Sequence, residues 1–98
     1  LEDGIPQILW ETPREINTSF FIIERADTGH LFTSITTVKA SGYSQFPKSY
    51  LHNDLAAPSM RCRYRVILVM MDGTRIIAEP AHEKKQPAAG RTNVLAVE

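Results

Sequence analysis

Asp27-Thr28-Gly29 is the stretch of this chain whose residue types most plainly invite chemistry. A carboxylate set beside Thr and Gly, and doubled by a second copy of the chain, can share one proton with its twin and activate water against a peptide bond. The same residues also serve a simpler purpose. Asp and Gly make the bend between two antiparallel strands, because Asp bonds its own backbone and Gly accepts a positive φ. The flanking residues, Glu24-Arg25-Ala26 before and His30-Leu31 after, favour the bend.

Other reactive side chains are scattered. His30, His52 and His82 lie in separate segments without the close spacing of metal ligands. Asp54 and Asp72 stand where turns form, which argues against a calcium site. Cys62 is alone, so no internal disulfide or cysteine-based zinc site is available. With Tyr64, Val66 and Leu68 following it at spacing two, it reads as a small core residue. No paired carboxylates, phosphate-binding Gly loop or nucleophile elbow appears in the sequence. Asn17-Thr18-Ser19 fits the N-glycosylation sequon, which matters only in a eukaryotic secretory setting. Neither a metal nor a cofactor is expected, and the chain reads as non-catalytic.

Tyr43 and Phe46 are the candidate binding residues. Set among Ser, Gly and Gln, two aromatics in a loop can present flat surfaces to a sugar ring or a protein partner. The competing role for Phe46 is to cap the core from one end.

The elements that must position these residues are strands. Helical spacing of apolar residues is nowhere sustained, while β-branched and aromatic residues come in short runs between Gly, Pro, Asn and Asp. Strands are expected over 8–12, 19–25, 31–40, 49–55, 62–71 and 74–79, with a loop over 41–48. Alternation puts Phe21 and Ile23 on one face of the second strand and Phe20, Ile22 and Glu24 on the other. Asp72-Gly73 predicts a two-residue hairpin turn.

At 98 residues, 43% hydrophobic and 22% charged, the chain suits one packed domain. Eleven basic residues balance eleven acidic ones, and no basic cluster exceeds Lys84-Lys85, so a nucleic-acid partner is not expected. Runs such as Val66–Met71 are too short for a membrane span.

The order of residues resembles a fibronectin type III domain. W-x-x-P at Trp10–Pro13, F-x-I-E-R at Phe21–Arg25, D-x-G at Asp27–Gly29 and F-x-x-I at Phe32–Ile35 follow the first half of that family. S-Y-x-x-x-D at Ser49–Asp54, Y-R-V at Tyr64–Val66 and D-G at Asp72-Gly73 follow the second half. The form in secreted multidomain proteins of Bacteroidetes-type bacteria is similar, and Glu15 and Asn17 fall in register with it. The resemblance spans residues 8–79 and implies an immunoglobulin-like antiparallel β-sandwich. Trp10 would fill its centre, with Phe21, Ile23, Tyr64 and Val66 in the core, and the Tyr64 hydroxyl would bond backbone near the preceding turn. The family's first strand would be short or missing here. A spacer, adhesion or protein-interaction module, extracellular or in the cell envelope, is what the resemblance implies; a carbohydrate-binding accessory module using Tyr43 and Phe46 is the alternative. A retroviral-type aspartic protease subunit is the remote one, since that family's triplet follows an apolar strand and lies under a Gly-rich flap. Here the corresponding segment reads SQFPKSYLHND.

Residues 1–80 would form the sandwich, and 81–98 a polar linker with an extra C-terminal strand in TNVLAVE. Such a strand, through Val94, Leu95 and Val97, could fill an open edge in its own chain or in a neighbouring copy, or begin a following domain.

Overall fold

The computed structural model describes residues 4–29, 31–59 and 61–78, and the backbone of 91–94. The chain runs through β1 (Gln7–Thr12), β2 (Glu15–Ile16), β3 (Thr18–Ala26), β4 (Thr33–Lys39), β5 (Tyr43–Ser44), β6 (Lys48–Asn53), β7 (Arg63–Met70), β8 (Arg75–Ala78) and β9 (Arg91–Val94). The described residues contain no helix, and hence none long and apolar enough to cross a membrane. A radius of gyration of 13.3 Å is that of a compact chain of this length.

Pairing produces one sheet ordered β4-β3-β7-β8, a second ordered β6-β1-β9, and the short ribbon β2-β5. Every neighbour in the four-stranded sheet is antiparallel, as is β1 with β6, whereas β9 lies parallel to β1. The long β7 is central because Arg63–Met70 carries the densest apolar run, and from Val66 to Val69 its burial does not alternate. Pro13 follows β1 directly and, lacking a donor, suits the end of a strand.

Alternation then sorts the side chains. Ile8 and Trp10 from β1, Phe21 and Ile23 from β3, and Tyr64, Val66 and Leu68 from β7 join Cys62 in one core shared by the two larger sheets. Trp10 stacks on Tyr50 of β6 at 5.6 Å and meets the edge of Phe21 at 5.4 Å. Such aromatic pairs add to the gain from burying their area.

The turns differ from the sequence reading in detail. Met70 N donates to Thr74 O at 2.8 Å and Gly73 N to Met70 O at 2.9 Å, so the β7–β8 loop holds three residues rather than two. Only Gly73 takes a positive φ, 90°, which is the requirement of a three-residue loop. Asp72 contributes by accepting Thr74 N at 2.9 Å. The expected loop 41–48 contains β5, which pairs with Glu15 and Ile16. Residues 79–90 and 95–98 lie outside the described residues, so Leu95, Val97 and most of the expected linker do too. The backbone of Val94 belongs to β9, on the flank of β1 opposite β6.

Candidate functional site

The two candidate binding aromatics lie close in the chain, on β5 and in the loop after it. Tyr43, on β5, is 62% exposed, and Phe46 is 73% exposed, so Phe46 does not cap the core. Ser44 shapes this loop from beneath: its buried hydroxyl donates to Phe46 O at 2.8 Å and accepts Phe46 N at 3.1 Å. Gln45 Nε2 donates to the Tyr43 hydroxyl at 2.8 Å. Exposed Ile16 is the cross-strand partner of Tyr43, and exposed Met71 lies beside Gly42, so apolar surface gathers at this end of the molecule.

Glu15 fastens that end. Thr12, Glu15 and Thr18 are spaced by three through the β1–β2–β3 corner, where Asn17 takes φ 57°, a left-handed value that Asn tolerates. The corner turns all three inward, and Glu15 is fully buried. Thr12 Oγ1 donates to its carboxylate at 2.8 Å, Thr18 Oγ1 at 2.5 Å, Ser41 N at 2.9 Å and the Tyr50 hydroxyl at 2.5 Å. With its proton given to Glu15, Tyr50 accepts from the Ser41 hydroxyl at 2.7 Å. Burial alone would raise the Glu15 pKa, but the donors from Thr18, Tyr50, Thr12 and Ser41 together hold it below the usual carboxylate value. Burial, and then the bond to Glu15, push the Tyr50 hydroxyl up to about 12.

A second polar cluster lies where β3, β6 and β7 approach. Asp54 is buried; its Oδ2 accepts Arg25 Nη1 at 2.9 Å and the Tyr64 hydroxyl at 2.7 Å, and its Oδ1 accepts Ala56 N at 3.3 Å. Tyr64 thus bonds a carboxylate, where the resemblance implied backbone. Asp54 does open a turn, as its sequence position suggests, and it also forms the ion pair that the sequence did not reveal. Burial opposes its ionisation, but Tyr64 and Arg25 outweigh that and lower its pKa. Burial and the Asp54 bond raise that of Tyr64. Replacing Tyr64 by phenylalanine removes one donor from this carboxylate and is expected to cost about 1–2 kcal/mol in chemical denaturation.

Asp27 stands at the rim of this cluster. Its side chain is 53% exposed and accepts Arg25 Nε at 2.6 Å, in the bend that Gly29 completes with φ 72°. Arg25, Ile35, His52 and Asp54 border an open cleft of 420 Å³. His52 therefore sits near Asp54, but among the described residues no three His, Cys, Asp or Glu side chains gather as metal ligands.

The structure therefore separates the candidates. Trp10, Phe21, Ile23, Tyr64 and Val66 are buried together, while Tyr43 and Phe46 are displayed at the Glu15 end and Asp27 lies beside the Arg25–Asp54 pair. Glu15 and Arg25 were legible only as members of a motif; the local signal for Glu15 was a Thr three residues away on each side. Comparison with protein-family models, with curated proteins and with solved structures gave no match.

Proposed function

We propose that the chain is a fibronectin type III-like β-sandwich acting as a non-catalytic spacer, adhesion or protein-interaction module of an extracellular or cell-envelope protein. The observation that carries this reading is the core built around Trp10, with β1 and β6 on one side and β4-β3-β7-β8 on the other. In this reading β9 occupies the flank of β1 where the family's first strand would lie.

The perturbed carboxylates support a structural role. Glu15 and Asp54 spend their lone pairs on groups that join separate strands, while Asp27 faces solvent and Arg25. A shared-proton dyad instead calls for two carboxylates withdrawn from water against each other. Incubating the protein with a peptide pool from acid to neutral pH is expected to yield no cleavage by mass spectrometry. Cleavage that Asp27→Asn abolishes would overturn the reading and install the protease.

The glycan-binding alternative draws on the exposure of Tyr43 and Phe46. It would replace the first reading if glycan-array binding were lost in Tyr43→Ala while the thermal melt stayed unchanged.

The edge of β1 bears on assembly. Ending the chain at Gly90 removes β9 and the pairing of Ile8–Glu11 with Arg91–Val94. The expected result is a monomer by light scattering before and after, less stable by about 1–2 kcal/mol without β9. An oligomer that dissociates on truncation would instead mean strand exchange between copies.

A further inference from the structure

The four-stranded sheet carries apolar residues on the face turned away from the core. Phe21, Ile23, Val66 and Leu68 point inward, so their neighbours in the chain point out. Register aligns these outward residues in rows across all four strands. One row runs Lys39, Phe20, Val69, Arg75, and the next runs Thr37, Ile22, Ile67, Ile77. A solvated antiparallel sheet normally places polar residues on such a face. Here the centre is Phe20, Ile22, Ile67 and Val69; of these Ile67 and Val69 are buried and Phe20 and Ile22 half-buried, while Ile77 beside them is 54% exposed.

The border of this block is charged, mostly with one sign. Lys39 and Arg75 end the first row. Beyond the second, Glu24 accepts Arg65 Nε at 2.7 Å, and Arg65 lies 4.4 Å over the Phe32 ring with Arg63 at 5.3 Å. An apolar centre with a polar, charged rim has the anatomy of a protein interface, and the sign of the rim selects the partner. A second copy fits poorly: packing this face on itself would bring basic rims together as water is removed.

We propose that this face docks a protein segment presenting an apolar ridge flanked by Asp and Glu. The proposal deepens the interaction-module reading and rests on it.

The test titrates two synthetic peptides, one of alternating Leu and Glu and one of alternating Leu and Lys, into the isotope-labelled full chain. The acidic peptide is expected to shift the amide signals of Phe20, Ile22, Ile67 and Ile77, with affinity falling as salt rises, and the basic peptide to leave them unmoved. Lys39→Gln/Arg75→Gln should weaken the acidic peptide roughly tenfold, and Lys39→Glu/Arg75→Glu should reverse the preference. Both variants lie at the border and are checked by thermal melt. Equal response to the two peptides, or shifts confined to Tyr43 and Phe46, would overturn the proposal. So would a concentration-dependent doubling of mass that broadens this face without peptide. Such failures with strand order intact leave the module reading standing, whereas loss of the β4-β3-β7-β8 order in the same spectra removes both.

Discussion

Glu15→Ala is expected to destabilise the protein by about 3–5 kcal/mol, a large share of the roughly 5–15 kcal/mol that holds a small domain together. The carboxylate itself is not what makes the loss large. Four donors converge on it from the β1–β2–β3 corner, the loop at Ser41 and β6, and alanine leaves them facing a cavity. Glu15→Gln separates charge from connectivity. An amide oxygen at the Oε1 position still accepts Ser41 N and Thr18, and the Thr12 and Tyr50 hydroxyls can turn to accept the amide hydrogens. Its expected cost is about 1–2 kcal/mol by urea unfolding at neutral pH. A loss under about 1 kcal/mol for Glu15→Ala would show that water replaces the carboxylate readily, and that the corner is held by its backbone.

The same carboxylate sets a pH dependence of known sign. Its folded pKa lies below 4.5, so its contribution is complete above that value and declines as pH falls through the folded pKa. Asp54, held below 3.8, acts in the same direction: its contribution is complete above that value and declines as pH falls through the folded pKa. On the alkaline side Tyr50 is raised from 10.0 to about 12, so what it contributes as a neutral donor is intact below pH 10 and lost as pH climbs through the folded value. Thermal melts of Glu15→Gln should show a shallower acid branch and a smaller alkaline loss than the parent, because one substitution removes both the titrating acid and the anion that helps raise Tyr50.

What the sequence disclosed follows from the range of each interaction. Strand alternation is a property of neighbouring residues, so Phe21, Ile23, Val66 and Leu68 could be assigned to one face before any fold was known. The three-residue β7–β8 loop was misjudged by one, because Asp-Gly allows a positive φ at both positions while the chain uses it only at Gly73. Glu15 was harder. A lone glutamate in a polar stretch looks solvated, and two of the donors that make its burial tolerable stand 26 and 35 residues away. The Arg25–Asp54 pair spans 29 residues and is invisible for the same reason. Strand propensity in TNVLAVE was legible, and the missing first strand pointed to an open edge that it could fill in its own chain or in a neighbouring copy; the register, Ile8–Glu11 beside Arg91–Val94, was not, since it is set only once the sheet is assembled.

Asp54→Ala is the second large effect, also about 3–5 kcal/mol, and it distinguishes two accounts of one residue. As a turn former alone, Asp54 would accept Ala56 N, asparagine would do the same, and Asp54→Asn would cost almost nothing. As the anion of a buried pair it faces the Arg25 guanidinium, 15% exposed, and the Tyr64 hydroxyl; among the described residues the other carboxylate bonded to Arg25 is Asp27 at the rim. Removing the anion leaves Arg25 with Asp27 at the rim and takes the acceptor from the Tyr64 hydroxyl, and the loss of both bonds at a half-closed junction makes the cost large. Asn restores one acceptor but no charge, so an intermediate loss of about 2–3 kcal/mol is expected from it. The double change with Tyr64→Phe tests the link directly. Once Asp54 is gone the Tyr64 hydroxyl is a liability, so deleting it should give back about 1 kcal/mol relative to additivity. Strict additivity, together with an unperturbed Asp54→Asn, would reduce this residue to a bend and leave the β3–β6–β7 junction to apolar packing.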